Sequence, residues 1–392
     1  MKKTAVSLVL STVFAAPAFA QNSVALYGVI DEGFDYTNNV RGSHNYELQS
    51  GFAQGSRWGL KGAEELGGGL KAVFQLENGF NVSNGRLAQG GLMFGRQAYV
   101  GLSSNRFGTL TVGRQYDSVV DFLAQTTANG NWAGLMFSHP FDNDNTDNTF
   151  RVNNTVKYMS PDWAGLQFGG TYSFSNSTSF ANNRQYSVGG QYATGGLLVA
   201  AAFLEATDPS TTAGGAINNG GDTNFVASRL RIFGGGVNYT FGPATAGLVY
   251  TNTFIADPVA NGYLNQTVTT ETIAPISGPL AGATVGSIRF QNFEVNGKYQ
   301  LTPALFIGAQ YVYTLESYNT TFGGVKPTIH SFGLMLDYNL SKRTDIYIQG
   351  ALQRITGDST GSSLDQAYVP GAADLSGNSK QVMGRVGIRH KF

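Results

Sequence analysis

From Asn292 to Leu301 the chain alternates without a break: Phe293, Val295, Gly297, Tyr299 and Leu301 stand against Asn292, Glu294, Asn296, Lys298 and Gln300. Successive side chains of a β-strand point to opposite faces, so a period of two writes one apolar and one polar face. The pattern returns at Leu305, Ile307, Ala309, Tyr311, Tyr313 and Leu315. It returns once more at Phe332, Leu334, Leu336, Tyr338 and Leu340, opposite Ser331, Gly333, Asp337 and Asn339. A soluble sandwich turns the apolar face inward, whereas a membrane barrel turns it outward. Alternation alone fits both.

The connections separate the two. Strands are expected near 23–36, 55–64, 70–81, 94–103, 108–116, 154–160, 166–174 and 184–193 in the first half. The second half gives 197–205, 229–241, 244–254, 289–301, 305–318, 327–339, 344–356 and 381–392. Short links such as Gly67-Gly68-Gly69, Gly242-Pro243 and Thr302-Pro303-Ala304 alternate with long ones at 117–153, 206–228, 255–288 and 357–380. Short turns at one rim and long loops at the other mark an outer-membrane barrel, and an even strand count returns the C-terminus to the short-turn rim. Past the N-terminal leader the longest apolar run is Leu197 to Leu204, too short for a spanning helix. Closed β-pairing is then the remaining way to cross lipid. The predicted fold is all-β: a transmembrane antiparallel β-barrel of about sixteen strands with short periplasmic turns and long external loops.

The N-terminus supports export. Met1-Lys2-Lys3, the apolar stretch from Ala5 to Ala18 and the small-residue site Ala18-Phe19-Ala20 are the three parts of a signal peptide. Cleavage is expected after Ala20, leaving residues 21–392 as one barrel domain with no linker or internal repeat. Removing Lys2 and Lys3 leaves 23 basic against 25 acidic residues, a net charge of −2, which argues against nucleic acid as a partner. Charged residues make up only 13% of the chain, well under the usual ~25% of soluble domains, so something other than water must face much of the surface. Cysteine is absent although the exported chain would meet an oxidising compartment, so disulfides are not used.

Several segments, taken in order, form a recognisable set. They are Ser23-Val24-Ala25-Leu26-Tyr27-Gly28-Val29-Ile30-Asp31, Arg57-Trp58-Gly59-Leu60-Lys61-Gly62 and Glu64-Glu65-Leu66-Gly67-Gly68-Gly69-Leu70-Lys71-Ala72. Phe94-Gly95-Arg96-Gln97-Ala98-Tyr99-Val100-Gly101-Leu102, Val112-Gly113-Arg114-Gln115, Arg151-Val152-Asn153-Asn154 and the closing Val386-Gly387-Ile388-Arg389-His390-Lys391-Phe392 continue the series. Together they resemble the general porins of β-proteobacteria, most closely their Burkholderia-like branch, over the whole chain and most strongly up to about residue 200. The resemblance implies a homotrimer in outer-membrane lipid and lipopolysaccharide that passes small ions and hydrophilic solutes, without a cofactor. It also implies that the third long loop, here 117–153, folds into the barrel and narrows the pore.

On that resemblance the pore constriction comprises Arg57, Glu77, Arg96 and Arg151 on the wall, facing Asp117 and Asp121 on the loop. Lys61 and Arg114 are secondary pore candidates, and Phe392 matches the terminal aromatic that barrel assembly machinery reads. Strand parity agrees for Arg57, Lys61 and Glu77, whose neighbours Trp58, Leu60, Phe74 and Leu76 face outward. Arg96 and Arg114 share parity with apolar neighbours that look outward. For Arg96 this implies either an irregularity near Gly95 or a position above the membrane band. Three arginines against several loop carboxylates leave the sign of selectivity open.

Other chemistry is weakly signalled. Asp142-Asn143-Asp144-Asn145-Thr146-Asp147 starts like a calcium loop but has Asp147 and Asn153 where an EF-hand needs Gly and Glu, so it reads as a solvated acidic loop with no metal. His44, His139, His330 and His390 are scattered, and none shows a nucleophile-triad spacing, so no catalytic residue is expected. An outer-membrane hydrolase would need a Ser–His pair on the outer wall, and a sugar-specific channel an aromatic track down the lumen. Only Tyr27 and Tyr347 point inward by parity. A soluble adhesin would be extractable without detergent.

Overall fold

The computed structural model describes residues 23–263 and 271–392; the leader read over residues 1–20 lies outside them. Sixteen antiparallel strands close into one barrel, as the alternation and loop rhythm require. They are β1 (Ser23–Val40), β2 (Arg57–Gly67), β3 (Leu70–Gly79), β4 (Gln97–Ser104), β5 (Gly108–Gln115), β6 (Val152–Met159), β7 (Leu166–Ser173) and β8 (Arg184–Thr194). The second half is β9 (Leu197–Thr207), β10 (Arg229–Phe241), β11 (Ala244–Ala256), β12 (Val285–Thr302), β13 (Leu305–Thr320), β14 (Pro327–Asn339), β15 (Thr344–Gly357) and β16 (Lys380–Lys391).

The exposed face decides between sandwich and barrel. Val100, Leu102, Leu110, Val112, Phe293, Val295, Leu334 and Leu336 are all exposed, while Asn292, Glu294, Asn296, Gln310 and Gln349 are buried. The polar face therefore looks inward and the apolar face outward. Soluble monomers rarely expose contiguous apolar surface of this kind, whereas lipid accommodates it. Tyr192, Tyr239, Phe241, Tyr299 and Tyr338 stand exposed next to the short turns, the position of an interfacial aromatic girdle.

Closure joins β1 to β16, from Val29 opposite Lys391 to Thr37 opposite Met383. At its lower end Phe392 exchanges both backbone hydrogen bonds with Gly28, each 3.1 Å. The aromatic ring lies over Gly28 so closely that an added methyl there would stand 2.3 Å from it. Inside the seam Arg385 is fully buried, bonded to Asp35 at 2.7 Å and to the Tyr347 hydroxyl at 2.9 Å.

The first long connection differs from expectation. Ser43–Ser50 continues β1 as a hairpin beyond the wall, because Phe34, Tyr36, Tyr46 and Leu48 pair across it. Arg41 and Gly42, both at positive φ (50° and 94°), make the two-residue turn that matches the twist of paired strands. Strand β4 starts at Gln97 rather than 94, so Arg96 precedes it. The loops at 208–228 and 257–284 are knit together by Phe225–Val226 pairing with Ala260–Asn261, which pairs in turn with Glu271–Thr272.

Candidate pore constriction

The loop between β5 and β6 turns into the barrel and follows its inner wall as a chain of single helical turns, among them Val119–Leu123, Asn129–Ala133 and Leu135–Phe137. Wall side chains hold its backbone from the lumen side. Glu294 accepts from the Ala128 amide at 2.7 Å, Gln310 donates to the Phe137 carbonyl at 2.9 Å and Gln349 donates to the Ala133 carbonyl at 2.5 Å. Its path from β5 to the β15 side leaves the opposite wall, β1 to β4, to face it across the opening.

That opposite wall carries the charge. Glu77 on β3 is a hub: Arg96 donates to it at 2.8 Å, Tyr27 at 2.8 Å and Tyr116 at 3.1 Å, with the Arg57 guanidinium 3.7 Å away. Arg96 also donates to the Tyr116 hydroxyl at 3.0 Å. Because Arg96 lies in irregular chain before β4, strand parity does not govern it, and it turns inward. Arg57 opens β2 and donates to the Gly55 carbonyl at 2.9 Å. Lys61, further down the same face, lies 5.2 Å over the Tyr27 ring.

Arg151 sits where the loop rejoins the wall. It is 5% exposed, its side chain donates to the Thr149 carbonyl at 3.3 Å, and among the described residues its Nε has no partner. Burial, with Arg96 and Arg114 nearby, lowers its pKa to about 10, so it stays charged at neutral pH. Asp147 lies in the field of Arg151 and Arg96. Burial pushes its carboxyl up to about 6, while the side chains of Ser138 and Asn129, and after them those two cations, pull the other way.

Arg114 is inward for a different reason. Pairing of β5 with β6 slips between Gly113 and Gln115, and Gly113 takes φ +133°, so a bulge rotates Arg114 off its strand parity. Its guanidinium grips Asp222 at 2.6 and 2.8 Å and also reaches Asn153 and the Gly95 carbonyl. This cation is neutralised within the wall and braces the loop at 208–228.

The loop carboxylates are mostly spent inside the protein. Asp117 is fully buried, capping the Val119 amide at 2.7 Å and accepting from Asn145 at 2.7 Å, so it does not join the wall charges across the lumen. Burial pushes its carboxyl up to about 6. Asp121 is ion-paired with Lys157 of β6. The stretch 142–147 is not the solvated loop expected. Asp142 accepts from the Asp147 amide and from Thr149, and Asp144 is buried against His139 at 2.5 Å. Positive φ at Phe141 and Asp142 (59° and 40°) folds the acidic tip back onto the loop core.

Sequence reading missed Tyr116, Lys157, Asp222 and the role of His139. The last bridges Asp144 to Glu294 at 2.8 Å across 155 residues, a separation that no local spacing reveals.

An inward polar face, an outward apolar band and a loop laid against charged walls define a membrane-spanning barrel with a narrowed polar interior. Residues 4–358 match the Gram-negative porin family, to which this chain belongs. It is 31% identical to an outer membrane porin protein of Bordetella pertussis, covering 100% of both chains. It is 28% identical to outer membrane porin protein 32 of Delftia acidovorans, again over 100% of both. Among solved structures, an anion-selective porin from Comamonas acidovorans superposes with a TM-score of 0.71 at 24% identity, covering 95% of this chain and 100% of that one.

Proposed function

We propose that this chain, exported by a signal peptide cleaved after Ala20, forms a homotrimeric water-filled channel for passive diffusion of ions and small hydrophilic solutes. Its constriction lies between the inward loop and the β1–β4 wall, and it favours anions. The observation that carries this reading is the charge balance at the narrowing. Arg57, Arg96 and Arg151 stand against Glu77 and Asp147, three positive charges to two negative, a local net of +1. Arg114 is neutralised by Asp222 and Asp121 by Lys157, Asp117 is sealed inside the loop, and Lys61, further down the wall beside Tyr27, adds a positive charge below the narrowing. Outer-membrane relatives that span the whole chain, one structural neighbour described as anion-selective and another as a trimer form support the same reading.

A unit charge about 4 Å from a passing ion is worth on the order of 1–4 kcal/mol, depending on how much water screens it. The test is a planar-bilayer recording under a salt gradient. The wild-type reversal potential should lie on the anion side. Replacing all three arginines by Gln moves the local balance from +1 to −2 and should carry it to the cation side. Both effects should shrink at 1 M salt, where screening falls to about 3 Å. A cation-selective wild type, or a folded triple variant with an unmoved reversal potential, sinks the proposal.

A further inference from the structure

The inward faces of the strands beneath the loop carry glycine at particular places. A methyl built on Gly189 of β8 would stand 2.7 Å from the Phe122 ring. On β10, one at Gly234 would meet Leu123 at 2.9 Å and one at Gly236 would meet the Thr126 hydroxyl at 2.1 Å. On β13, one at Gly308 would meet the Trp132 ring at 2.4 Å, and on β14 one at Gly333 would meet Phe137 at 2.5 Å. All five loop residues are buried. Their order along the loop, 122, 123, 126, 132 and 137, is the order of the wall strands around the barrel.

We infer that these glycines form a track of sockets that positions the constriction loop, so that wall shape sets how far the loop stands into the lumen. The inference rests on the channel reading and adds the residues that fix the aperture. Glycine in a strand interior weakens the strand, and its recurrent structural use is close approach by another part of the chain. Five such sites, each filled by a buried loop side chain in matching order, give that weakness a purpose. The spaces between are bridged by polar contacts, since Asn296 of β12 donates to the Thr126 carbonyl at 3.1 Å beside the Glu294 bond already described. The two devices differ in consequence. Hydrogen bonds fix where the loop attaches, whereas the sockets fix its depth. Carbon atoms in contact prefer separations of about 3.5–4 Å, so a methyl at Gly308 forces the Trp132 ring roughly 1 Å towards the lumen.

The experiment compares Gly308→Ala and Gly333→Ala with Gly350→Ala, an outward-facing wall glycine whose added methyl meets nothing nearer than 4.0 Å. Single-channel conductance is recorded in planar bilayers, with circular dichroism confirming that each variant is folded. Conductance should fall in the two socket variants and hold in the Gly350 variant. Trimming the ring in the double variant Gly308→Ala/Trp132→Leu should restore it towards wild type. Equal conductance in all single variants, or a loss that Trp132→Leu fails to relieve, overturns the socket reading. A wild-type protein that does not conduct would instead sink the channel reading itself.

Discussion

The His139 imidazole is bonded at both nitrogens to buried carboxylates, to Asp144 of its own loop at 2.5 Å and to Glu294 of β12 at 2.8 Å. A ring that donates from both nitrogens is the imidazolium form. Burial by itself would lower its pKa, but Asp144 and Glu294 outweigh burial and raise it to about 10. Measured from an ordinary value near 6.5, that rise corresponds to on the order of 5 kcal/mol favouring the docked loop. The cost of breaking a buried ion pair by removing one partner is similar, about 3–5 kcal/mol. The sign follows from the raised pKa: the contribution is complete below about pH 6.5, declines above it and is lost as pH passes 10. Replacing His139 by Leu leaves two buried carboxylates without their cation. At a tenfold change per 1.4 kcal/mol, the undocked fraction of the loop should rise by roughly two to four orders of magnitude. Because the barrel is held by its own strand pairing, the effect should be local. The assay is single-channel recording at pH 7, scoring current noise and brief closures, with limited proteolysis of the loop in detergent as a second readout. The variant should be noisier and more readily cut. The wild type should acquire the same behaviour as pH is raised from 7 to 10.5. Quiet openings and an uncut loop in folded His139→Leu would refute the clamp.

Asp147, with its carboxyl at about 6, should lose its charge between pH 7.5 and 5 and raise the local balance from +1 to +2. The reversal potential under a salt gradient should therefore move further to the anion side on acidification, and Asp147→Asn should abolish most of that movement. Deleting Phe392 removes two backbone hydrogen bonds and the ring seated on Gly28 at the closing seam. Less folded protein should reach the outer membrane, as measured by immunoblot of membrane fractions; normal levels and rates of assembly would show that the terminal aromatic is dispensable.

The barrel was readable because its strands are nearly independent statements. In β12 and β13 each inward polar residue is answered by an outward apolar one, so strand, face and length all follow from a local pattern. Boundaries slip where local chemistry changes: a strand is expected from residue 94, yet the chain is irregular until Gln97, which leaves Arg96 outside it. Part of the proposed constriction is legible too, but through resemblance and parity rather than through chemistry. Arg57 and Glu77 sit on regular strands, where parity is informative; Arg114 sits at a bulge, where one extra residue inverts it.

The loop resisted reading for a deeper reason. An aspartate in a glycine- and asparagine-rich stretch looks solvated, because nothing local says that the stretch will be packed against a wall more than a hundred residues away. The wall does bear the imprint, as glycines at inward positions 189, 234, 236, 308 and 333, but a strand glycine has several meanings until its partner is known. The acids of this loop therefore had to be sorted by where their charge ends. Asp142 and Asp144 end in hydrogen bonds and an imidazolium and Asp121 ends in Lys157, whereas Asp147, held by Ser138 and Asn129, lies in the field of Arg151 and Arg96. On the proposed reading, selectivity follows from what the folded loop leaves facing the arginines, and a count of charged residues along the chain, which comes out nearly neutral, is blind to it.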